Sequence, residues 1–144
     1  MIAIGCDHGG YELKHAVESY LNDRKVEFVD CGCDGEKVDY PDIAVKVCEK
    51  ITKGECDKGI LLCGTGIGMS MCANKIKGIR AAVCGDTFSA KYTRLHNDAN
   101  VLCMGGRVTG AGLALEIVRE FLDNEFEGDR HVARLDKMKK LEGK

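Results

Sequence analysis

The hydrophobic positions of this chain follow two alternating patterns. Short apolar runs bounded by glycine or polar residues predict buried strands at residues 2–6, 26–30, 59–63, 79–84 and 101–104. Between them, apolar residues recur three or four positions apart, which predicts helices at residues 11–23, 67–75, 87–95 and 109–122 and another that opens at Asp39-Tyr40-Pro41-Asp42. This alternation predicts an α/β domain, a three-layer Rossmann-like fold with five parallel strands and right-handed crossovers.

The length and charge of the chain narrow its class. Its 144 residues suffice for one domain, residues 1–144, that buries a core without a metal or disulfide. A net charge of −2 and a pI near 6.1 offer no positive field for nucleic acid or a membrane surface, so we expect neither as a partner. The first residues lack the pattern of a signal peptide and no apolar run approaches the ~20 residues of a membrane span, which predicts a cytoplasmic protein.

Nine cysteines, an odd number, need an explanation in a chain of this size. They form no Cys-x-x-Cys pair and no Cys/His spacing of the zinc type. Five lie inside apolar runs, where free cysteine behaves as a small hydrophobic residue, and we expect reduced core thiols at Cys6, Cys48, Cys72, Cys84 and Cys103. Cys31 and Cys33 could bind a metal ion, but their spacing alone is weak evidence for a metal site.

The C-terminal segment has a different pattern from the rest. Residues 130–140 are highly charged, and the apolar side chains of this region make one narrow stripe of Val132, Leu135, Met138 and Leu141. Such a stripe is too thin for a core helix. Two interpretations fit it: a solvated helix on its own domain, or a helix that reaches over a neighbouring subunit.

The most informative stretch is residues 59–70, where a short apolar run leads directly into three glycines within five residues. Glycines let the backbone turn tightly and approach a ligand, and the helix that begins at Ile67 directs free N–H groups at an anion. Cys63 stands at the carboxyl end of the strand, the edge at which open parallel sheets build their active sites. We therefore predict that Cys63 is catalytic.

Other chemically capable side chains follow the remaining strands or the short helix after the fourth strand: Asp7, His8, Asp86, Arg107, His96 and Asn97. We expect them to converge with Cys63 on one rim of the sheet. Each also has a simpler explanation. His96 could end a helix where a cation is favourable, His8 could cap a helix, and Arg107 could pair with Asp98. Their joint occurrence at predicted strand ends favours a site.

Several motifs, in this order and spacing, resemble those of the type B ribose-5-phosphate isomerases, whose superfamily includes the galactose-6-phosphate isomerase subunits. They are Cys6-Asp7-His8-Gly9-Gly10, Asp39-Tyr40-Pro41, Cys63-Gly64-Thr65-Gly66-Ile67-Gly68 with Ala73-Asn74-Lys75, Arg80-Ala81, Arg94-Leu95-His96-Asn97-Asp98-Ala99-Asn100 and Gly128-Asp129-Arg130-His131. The resemblance implies interconversion of D-ribose 5-phosphate and D-ribulose 5-phosphate in the pentose phosphate pathway. It also implies that no metal or organic cofactor is needed, and that sites are shared between subunits of a homodimer or homotetramer.

The resemblance also implies roles for individual residues in a reaction that passes through a cis-enediolate. Cys63 matches the family's base, and the adjacent helix N-terminus and cationic groups should favour its thiolate. His96 matches the proton donor that opens the sugar ring. The Thr65 hydroxyl and the loop amides would hold the enediolate oxygens, through Gly64, Thr65, Gly66, Ile67 and Gly68. Asp7, His8 and Asn97 match positions that bind the sugar.

Phosphate recognition falls to arginines, whose forked donors suit phosphate oxygens. Arg107, Arg130 and Arg134 match the family's phosphate ligands. Since the last two lie one helical turn apart on the thin C-terminal segment, the resemblance favours the helix that reaches a neighbouring subunit. One branch of the family uses a glutamate just after the glycine loop as its base. Met69 stands at that position here, so the chain looks like the cysteine branch.

Other functions stay open. A dinucleotide-dependent oxidoreductase would also place a glycine loop between strand and helix, with Asp86 about twenty residues on. However, the spacing Gly64-x-Gly66-x-Gly68 is not Gly-x-Gly-x-x-Gly, and it follows the third strand rather than the first. A non-catalytic sugar-phosphate sensor would have no use for the thiol. An isomerase of a six-carbon phosphosugar, such as allose 6-phosphate or galactose 6-phosphate, would have the same motifs.

Overall fold

Five parallel strands form a single sheet in the order β2-β1-β3-β5-β4 in the computed structural model, which describes residues 1–143. The strands are β1 (Ile2–Cys6), β2 (Phe28–Asp30), β3 (Lys58–Cys63), β4 (Ala81–Val83) and β5 (Val101–Gly105). The helices are α1 (Tyr11–Asp23), α2 (Tyr40–Thr52), α3 (Ile67–Ala73), α4 (Thr87–Asn97), α5 (Ala111–Asp123) and α6 (Arg130–Lys140). This confirms the predicted α/β fold with five parallel strands.

The helices cover both faces of the sheet. Along β3, Ile60 and Leu62 face one core with α1, α4 and α5, whereas Leu61 and Cys63 face the other core with α2 and α3. Because side chains alternate across a strand, a strand covered on both sides has to be apolar at every position. This is the reason for the continuous apolar runs in the sequence, and it gives the three layers that the pattern predicts.

The two edge strands are shorter than the sequence predicts. The predicted strands at residues 26–30 and 79–84 are reduced to β2 and β4, each of which pairs on one side only. The predicted helix at residues 67–75 ends two residues earlier, at Ala73, and the next residue, Asn74, contacts β4. Its side-chain amide exchanges two hydrogen bonds of 2.8 Å with the backbone of Ala81 and so occupies the open edge of β4.

Lys14 is a buried cation that the apolar pattern of α1 does not reveal. Its side chain is 1% exposed, and its Nζ donates to Asp30 Oδ1 at 2.9 Å and to the carbonyl of Cys33 at 2.6 Å. Burial works against its charge, but the hydrogen bond to Asp30 and the nearby acidic groups together outweigh burial, and the pKa of Lys14 is raised. A buried ammonium is tolerated only with such partners. It ties α1 to the loop after β2.

Glu18 lies one turn along α1, with its Oε1 4.0 Å from the Nζ of Lys14. Oε1 is buried and has no hydrogen-bond partner within residues 1–143. Burial and the adjacent Asp30 carboxylate raise the pKa of Glu18 from 4.5 to about 7, against the attraction of Lys14. Ionised Glu18 therefore lowers the stability of the fold.

The last helix, α6, has the predicted bounds and is highly exposed. Among its residues only His131 is buried, and this side chain packs against α4. Whether α6 also reaches a partner subunit stays a prediction. All nine cysteines are free thiols, including the five predicted as core thiols, of which Cys72 is only half-buried. No helix within residues 1–143 is long and apolar enough to cross a membrane.

We expect Glu18→Gln to remove the loss of folding stability that the ionisation of Glu18 causes as pH rises. As pH rises from about 4.5 to 7, the wild type loses stability because Glu18 has to ionise while buried, and glutamine cannot ionise. From pH 5 to pH 8, the unfolding free energy of the variant should increase relative to that of the wild type by on the order of 1–3 kcal/mol. Urea denaturation at both pH values measures this, with Glu12→Gln on the exposed face of the same helix as control. Parallel pH profiles for Glu18→Gln and wild type would contradict the assignment.

Candidate active site

The thiol of Cys63 is held at the carboxyl tip of β3. The residue is 5% exposed, and its Sγ accepts a hydrogen bond from the backbone N–H of Gly66 at 3.1 Å. Gly66 reaches this position because it adopts a left-handed conformation, with φ of +83°, that glycine tolerates without strain. This hydrogen bond holds the sulfur of the residue that the sequence predicts to be catalytic at a defined place beside the glycine loop.

The loop from Gly64 to Gly68 presents unused donors beside this thiol. The Thr65 hydroxyl oxygen accepts from the N–H of Ile67 at 3.2 Å, and the side chain of Thr65 is exposed. The backbone N–H groups of Thr65 and Gly68 donate to no acceptor within residues 1–143. Free amides on a rigid turn are well suited to binding oxygen atoms that carry negative charge.

Three backbone segments meet around the loop at distances that only glycine permits. A Cβ at Gly105 would lie 2.6 Å from Thr65 Cα, and one at Gly106 would lie 2.5 Å from the carbonyl oxygen of Gly9. The backbone N–H groups of Gly106 and Arg107 donate to the carbonyls of Cys63 and Gly64 at 2.8 and 3.1 Å. The turn after β5 is thereby fixed against the loop after β3.

Arg107 brings a positive charge to the same place. Its guanidinium lies over Gly64, where an added Cβ would be 3.3 Å from Nη1. Within residues 1–143 this side chain has no hydrogen bond or ion pair, so its donors are available to a ligand. The alternative that Arg107 pairs with Asp98 is wrong, since Asp98 binds Arg94 and Arg80 at 2.9 and 3.3 Å.

Asp7 and His8 lie beside the loop at the end of β1. Asp7 is 8% exposed, and its Oδ1 accepts from the N–H of Gly9 at 2.8 Å, which caps a short 3₁₀ turn at His8–Gly10. His8 is exposed on this rim. The alternative that His8 caps a helix is wrong, because Asp7 does so.

Tyr40 is a site residue to which the sequence assigned no role. Its ring lies against Gly68, where an added Cβ would be 2.5 Å from Cε1, and the residue is 40% exposed. The ring forms one wall beside the glycine loop. The available signal was its place in the Asp39-Tyr40-Pro41 motif that precedes α2.

His96 and Asn97 do not join Cys63 within one chain. α4 starts beyond the carboxyl end of β4 and returns against the sheet, so His96 precedes the first residue of β5. There the carbonyl of Asn100 accepts from the N–H of Gly59 at 2.8 Å, at the amino end of β3, whereas Cys63 pairs with Gly105 at the other end. The length of β5 separates the two groups by roughly 15 Å. The prediction that all these side chains converge on one rim is wrong for a single chain.

Arg130 and Arg134 lie on the same side of the molecule as His96. Both are exposed on α6, whose second residue, His131, stacks on His96 with ring centroids 4.2 Å apart and planes 17° apart. The side chains of Asn97, Arg130 and Arg134 make no hydrogen bond or ion pair with any residue from 1 to 143. This second group of residues, which we call the α4/α6 cluster, consists of His96, Asn97, Arg130 and Arg134.

Glu127 connects the two stacked histidines of this region. Its Oε2 lies 3.8 Å from His96 Nε2 and 3.7 Å from His131 Nε2, and its backbone N–H donates to the carbonyl of Leu95 at 3.0 Å. Burial, followed by the charges of Arg130, His96 and Arg134, lowers the pKa of His131. The sequence assigned no role to Glu127 or His131, although His131 belongs to the Gly128-Asp129-Arg130-His131 motif.

We expect Gly105→Ala to destabilise the fold because its new methyl group would meet backbone that has no room to move. The cost should be about 1–3 kcal/mol of unfolding free energy, typical of an overpacked core. Gly112→Ala on the exposed surface of α5 is the control, since nothing lies within 4 Å of that position. It should be neutral or stabilising, by up to about 1 kcal/mol. Urea denaturation of both variants measures the difference, and a Gly105→Ala protein as stable as Gly112→Ala would contradict the assigned contact.

The chain is similar to known proteins over almost its full length. The Bacillus subtilis protein YwlF is 52% identical over 145 residues, covering 99% of this chain and 97% of its own. Ribose-5-phosphate isomerase B of Escherichia coli is 47% identical over 142 residues, covering 98% of this chain and 95% of its own. The structure of Clostridium thermocellum ribose-5-phosphate isomerase B superposes with a TM-score of 0.97 at 50% identity, covering 99% of this chain and 97% of that one. Residues 2–138 match the Ribose/Galactose Isomerase family model, and the chain belongs to that family, as the sequence motifs predicted.

Proposed function

We propose that this protein is an aldose–ketose isomerase that interconverts D-ribose 5-phosphate and D-ribulose 5-phosphate through a cis-enediolate. The observation that carries the proposal is the buried Cys63 thiol, held by the Gly66 amide next to free amides of the same loop. The full-length similarity to a relative named ribose-5-phosphate isomerase B supports the choice of substrate. The reaction belongs to the pentose phosphate pathway.

The central step is a proton transfer by Cys63. In the open-chain aldose, the thiolate removes the proton from C2, and the electron pair moves through C1 to its carbonyl oxygen. The resulting enediolate carries negative charge on oxygen, which the free N–H groups of Thr65 and Gly68 and the Thr65 hydroxyl are placed to bind. Return of the proton from sulfur to C1 and transfer of the O2 proton to O1 yield the ketose. The steps move only protons, so they call for no metal or organic cofactor.

We propose that each active site combines two chains, in a homodimer or homotetramer. One chain supplies Cys63, the glycine loop and Arg107, and the partner supplies the α4/α6 cluster. Each half exposes polar groups without partners, and within a chain the length of β5 separates the halves. A small sugar phosphate cannot span that distance, but two chains packed antiparallel about a two-fold axis bring the unlike halves together.

Within the combined site, His96 would open the sugar ring by donating a proton to the ring oxygen while the C1 hydroxyl loses its proton. Asp7, His8 and Asn97 would bind the sugar hydroxyl groups. Arg107, Arg130 and Arg134 would bind the phosphate, because their planar donors match its oxygens. A six-carbon phosphosugar, allose 6-phosphate or galactose 6-phosphate, is the alternative substrate, and a non-catalytic sugar-phosphate sensor is the alternative role.

We expect Cys63→Ser and Cys63→Ala to lose isomerisation of ribose 5-phosphate by about 10²–10⁴-fold, the usual contribution of a general base. The purified proteins are assayed in a chelator, with the two six-carbon phosphosugars as competing substrates. Substrate binding, measured by calorimetry, should persist in both variants. Cys72→Ser, at a half-buried thiol of α3 outside the site, is the control and should retain the wild-type rate.

The same assay distinguishes the alternatives. Wild-type rates in Cys63→Ala would refute the assigned base. Faster turnover of a six-carbon phosphosugar would change the substrate, and saturable binding without turnover of any substrate would favour the sensor.

Mixing two inactive variants tests whether the site is shared. We expect Cys63→Ala and His96→Ala to be inactive alone, and to recover activity when denatured together and refolded as mixed dimers. Half of the dimers would then hold one intact site of two, giving about one quarter of the wild-type activity. Refolding each variant alone is the control. If the mixture stays inactive while native-sized dimers form, the two halves do not belong to one shared site.

A further inference from the structure

Three potential metal ligands meet at the junction of α4, α6 and the segment between α5 and α6. His96, Glu127 and His131 each direct one nitrogen or oxygen atom to a common point, and these atoms lie within 4.8 Å of one another. The junction is held by backbone as well as side chains. Glu127 N–H donates to the carbonyl of Leu95, and Arg94 Nε donates to the carbonyl of Asn124 at 3.2 Å.

His131 supplies an independent sign that a ligand belongs here. The side chain is 5% exposed, and its Nε2 is buried without a hydrogen-bond partner among the described residues. Buried polar atoms are rarely left unpaired in folded proteins, and those that are unpaired often mark the place of a missing ion or water. The unpaired nitrogen lies 3.7 Å from Glu127 Oε2, too far for a hydrogen bond.

We infer that His96, Glu127 and His131 form a binding site for a divalent transition-metal ion of the zinc class. Zinc binds imidazole nitrogen and carboxylate oxygen at about 2.0–2.2 Å, which places two ligand atoms of a tetrahedral ion about 3.3 Å apart. The distances of 3.7 and 3.8 Å from Glu127 to the two histidines exceed this by only a few tenths of an ångström. The side chains of His96 and Glu127 are 33% and 40% exposed, so both have room to turn toward an ion.

The ligand set selects among metals. Two imidazoles and one carboxylate suit Zn²⁺, Co²⁺ and Ni²⁺, whereas Mg²⁺ and Ca²⁺ need oxygen ligands. The positive charges of Arg130 and Arg134 act on His131 and disfavour a cation held by charge alone, so the site depends on nitrogen–metal bonds. Three protein ligands leave a fourth position open to water.

The bound ion would switch the enzyme off. A metal on His96 Nε2 occupies one ring nitrogen and adds positive charge to the imidazole that the proposed mechanism uses to open the sugar ring, so turnover should fall and recover when the metal is removed. This consequence rests on the proposed function. The binding site itself rests only on the three side chains and their geometry.

Binding of Co²⁺ to the full chain, freed of metals and kept reduced with a phosphine, tests the site without reference to activity. We expect one Co²⁺ per chain, with visible absorption from the metal but no near-ultraviolet thiolate-to-metal band, because the ligands are nitrogen and oxygen. The absence of that band separates this site from adventitious binding to any of the nine cysteines.

Variants assign the ligands. Glu127→Gln and His131→Ala should each weaken Co²⁺ binding by at least about tenfold. Glu127→Gln keeps the volume of an exposed side chain, so it tests the site even if His131→Ala fails to fold. His15→Ala removes a histidine elsewhere, on α1, and should bind Co²⁺ as the wild type does. Co²⁺ and Zn²⁺ should lower wild-type turnover of ribose 5-phosphate reversibly, with chelator restoring the rate, and should affect Glu127→Gln only at higher concentrations.

Three results would overturn parts of this inference. Absence of Co²⁺ absorption at millimolar metal, or a thiolate band that is unchanged in Glu127→Gln and His131→Ala, would remove the site. Nitrogen-ligated Co²⁺ with undiminished turnover would support the site and overturn the inhibition. Nitrogen-ligated Co²⁺ in a protein that turns over no phosphosugar, with or without metal, would support the site and reject the proposed function.

Discussion

The active site of this protein depends on the close approach of three backbone turns at the carboxyl ends of β1, β3 and β5. Gly105 lies against Thr65, and Gly106 lies against Gly9. The backbone N–H of Gly66 donates to the sulfur of Cys63. Because no side chain separates these turns, the thiol, the free amides and the Arg107 guanidinium are positioned by main-chain atoms. Backbone held on a close-packed sheet moves little, which is what an oxyanion-binding site needs before the charge develops.

A second constraint is the direction of the helices. In a parallel α/β fold every helix returns to the amino edge of the sheet, so a side chain at the end of a helix faces away from the active edge. His96 obeys this rule. The residues of the proposed catalytic set therefore lie at two opposite edges of the sheet, which is why the proposed mechanism unites them by packing two chains together. The ion pairs of Asp98 with Arg94 and Arg80 hold the turn after His96, and so fix the end of α4 that carries His96 and Asn97.

His96 also contacts other residues of its own chain. The His131 ring stacks on it and the Glu127 carboxylate lies beside both rings. The histidine that the proposed mechanism uses as an acid is thereby linked to the other two residues of the inferred metal site. A metal ion bound there would act on the proposed acid through residues of the same chain.

The sequence by itself determined the elements and much of the chemistry. Apolar runs and helical periods located β1, β3, β5, α1 and α6 closely, because these elements are buried or amphipathic in a way that leaves a period in the chain. The carboxyl end of β3 with Cys63 and the glycine loop could also be located from the sequence, because the apolar run of this buried strand stops there. The tertiary structure decided what depends on neighbours distant in sequence. Lys14 is buried because Asp30 and the Cys33 carbonyl accept hydrogen bonds from it. Asn74 hydrogen-bonds to the open edge of β4, and His96 lies far from Cys63 because α4 runs back along the sheet. Periodicity reports which face of an element is apolar, but not which groups another element brings to it.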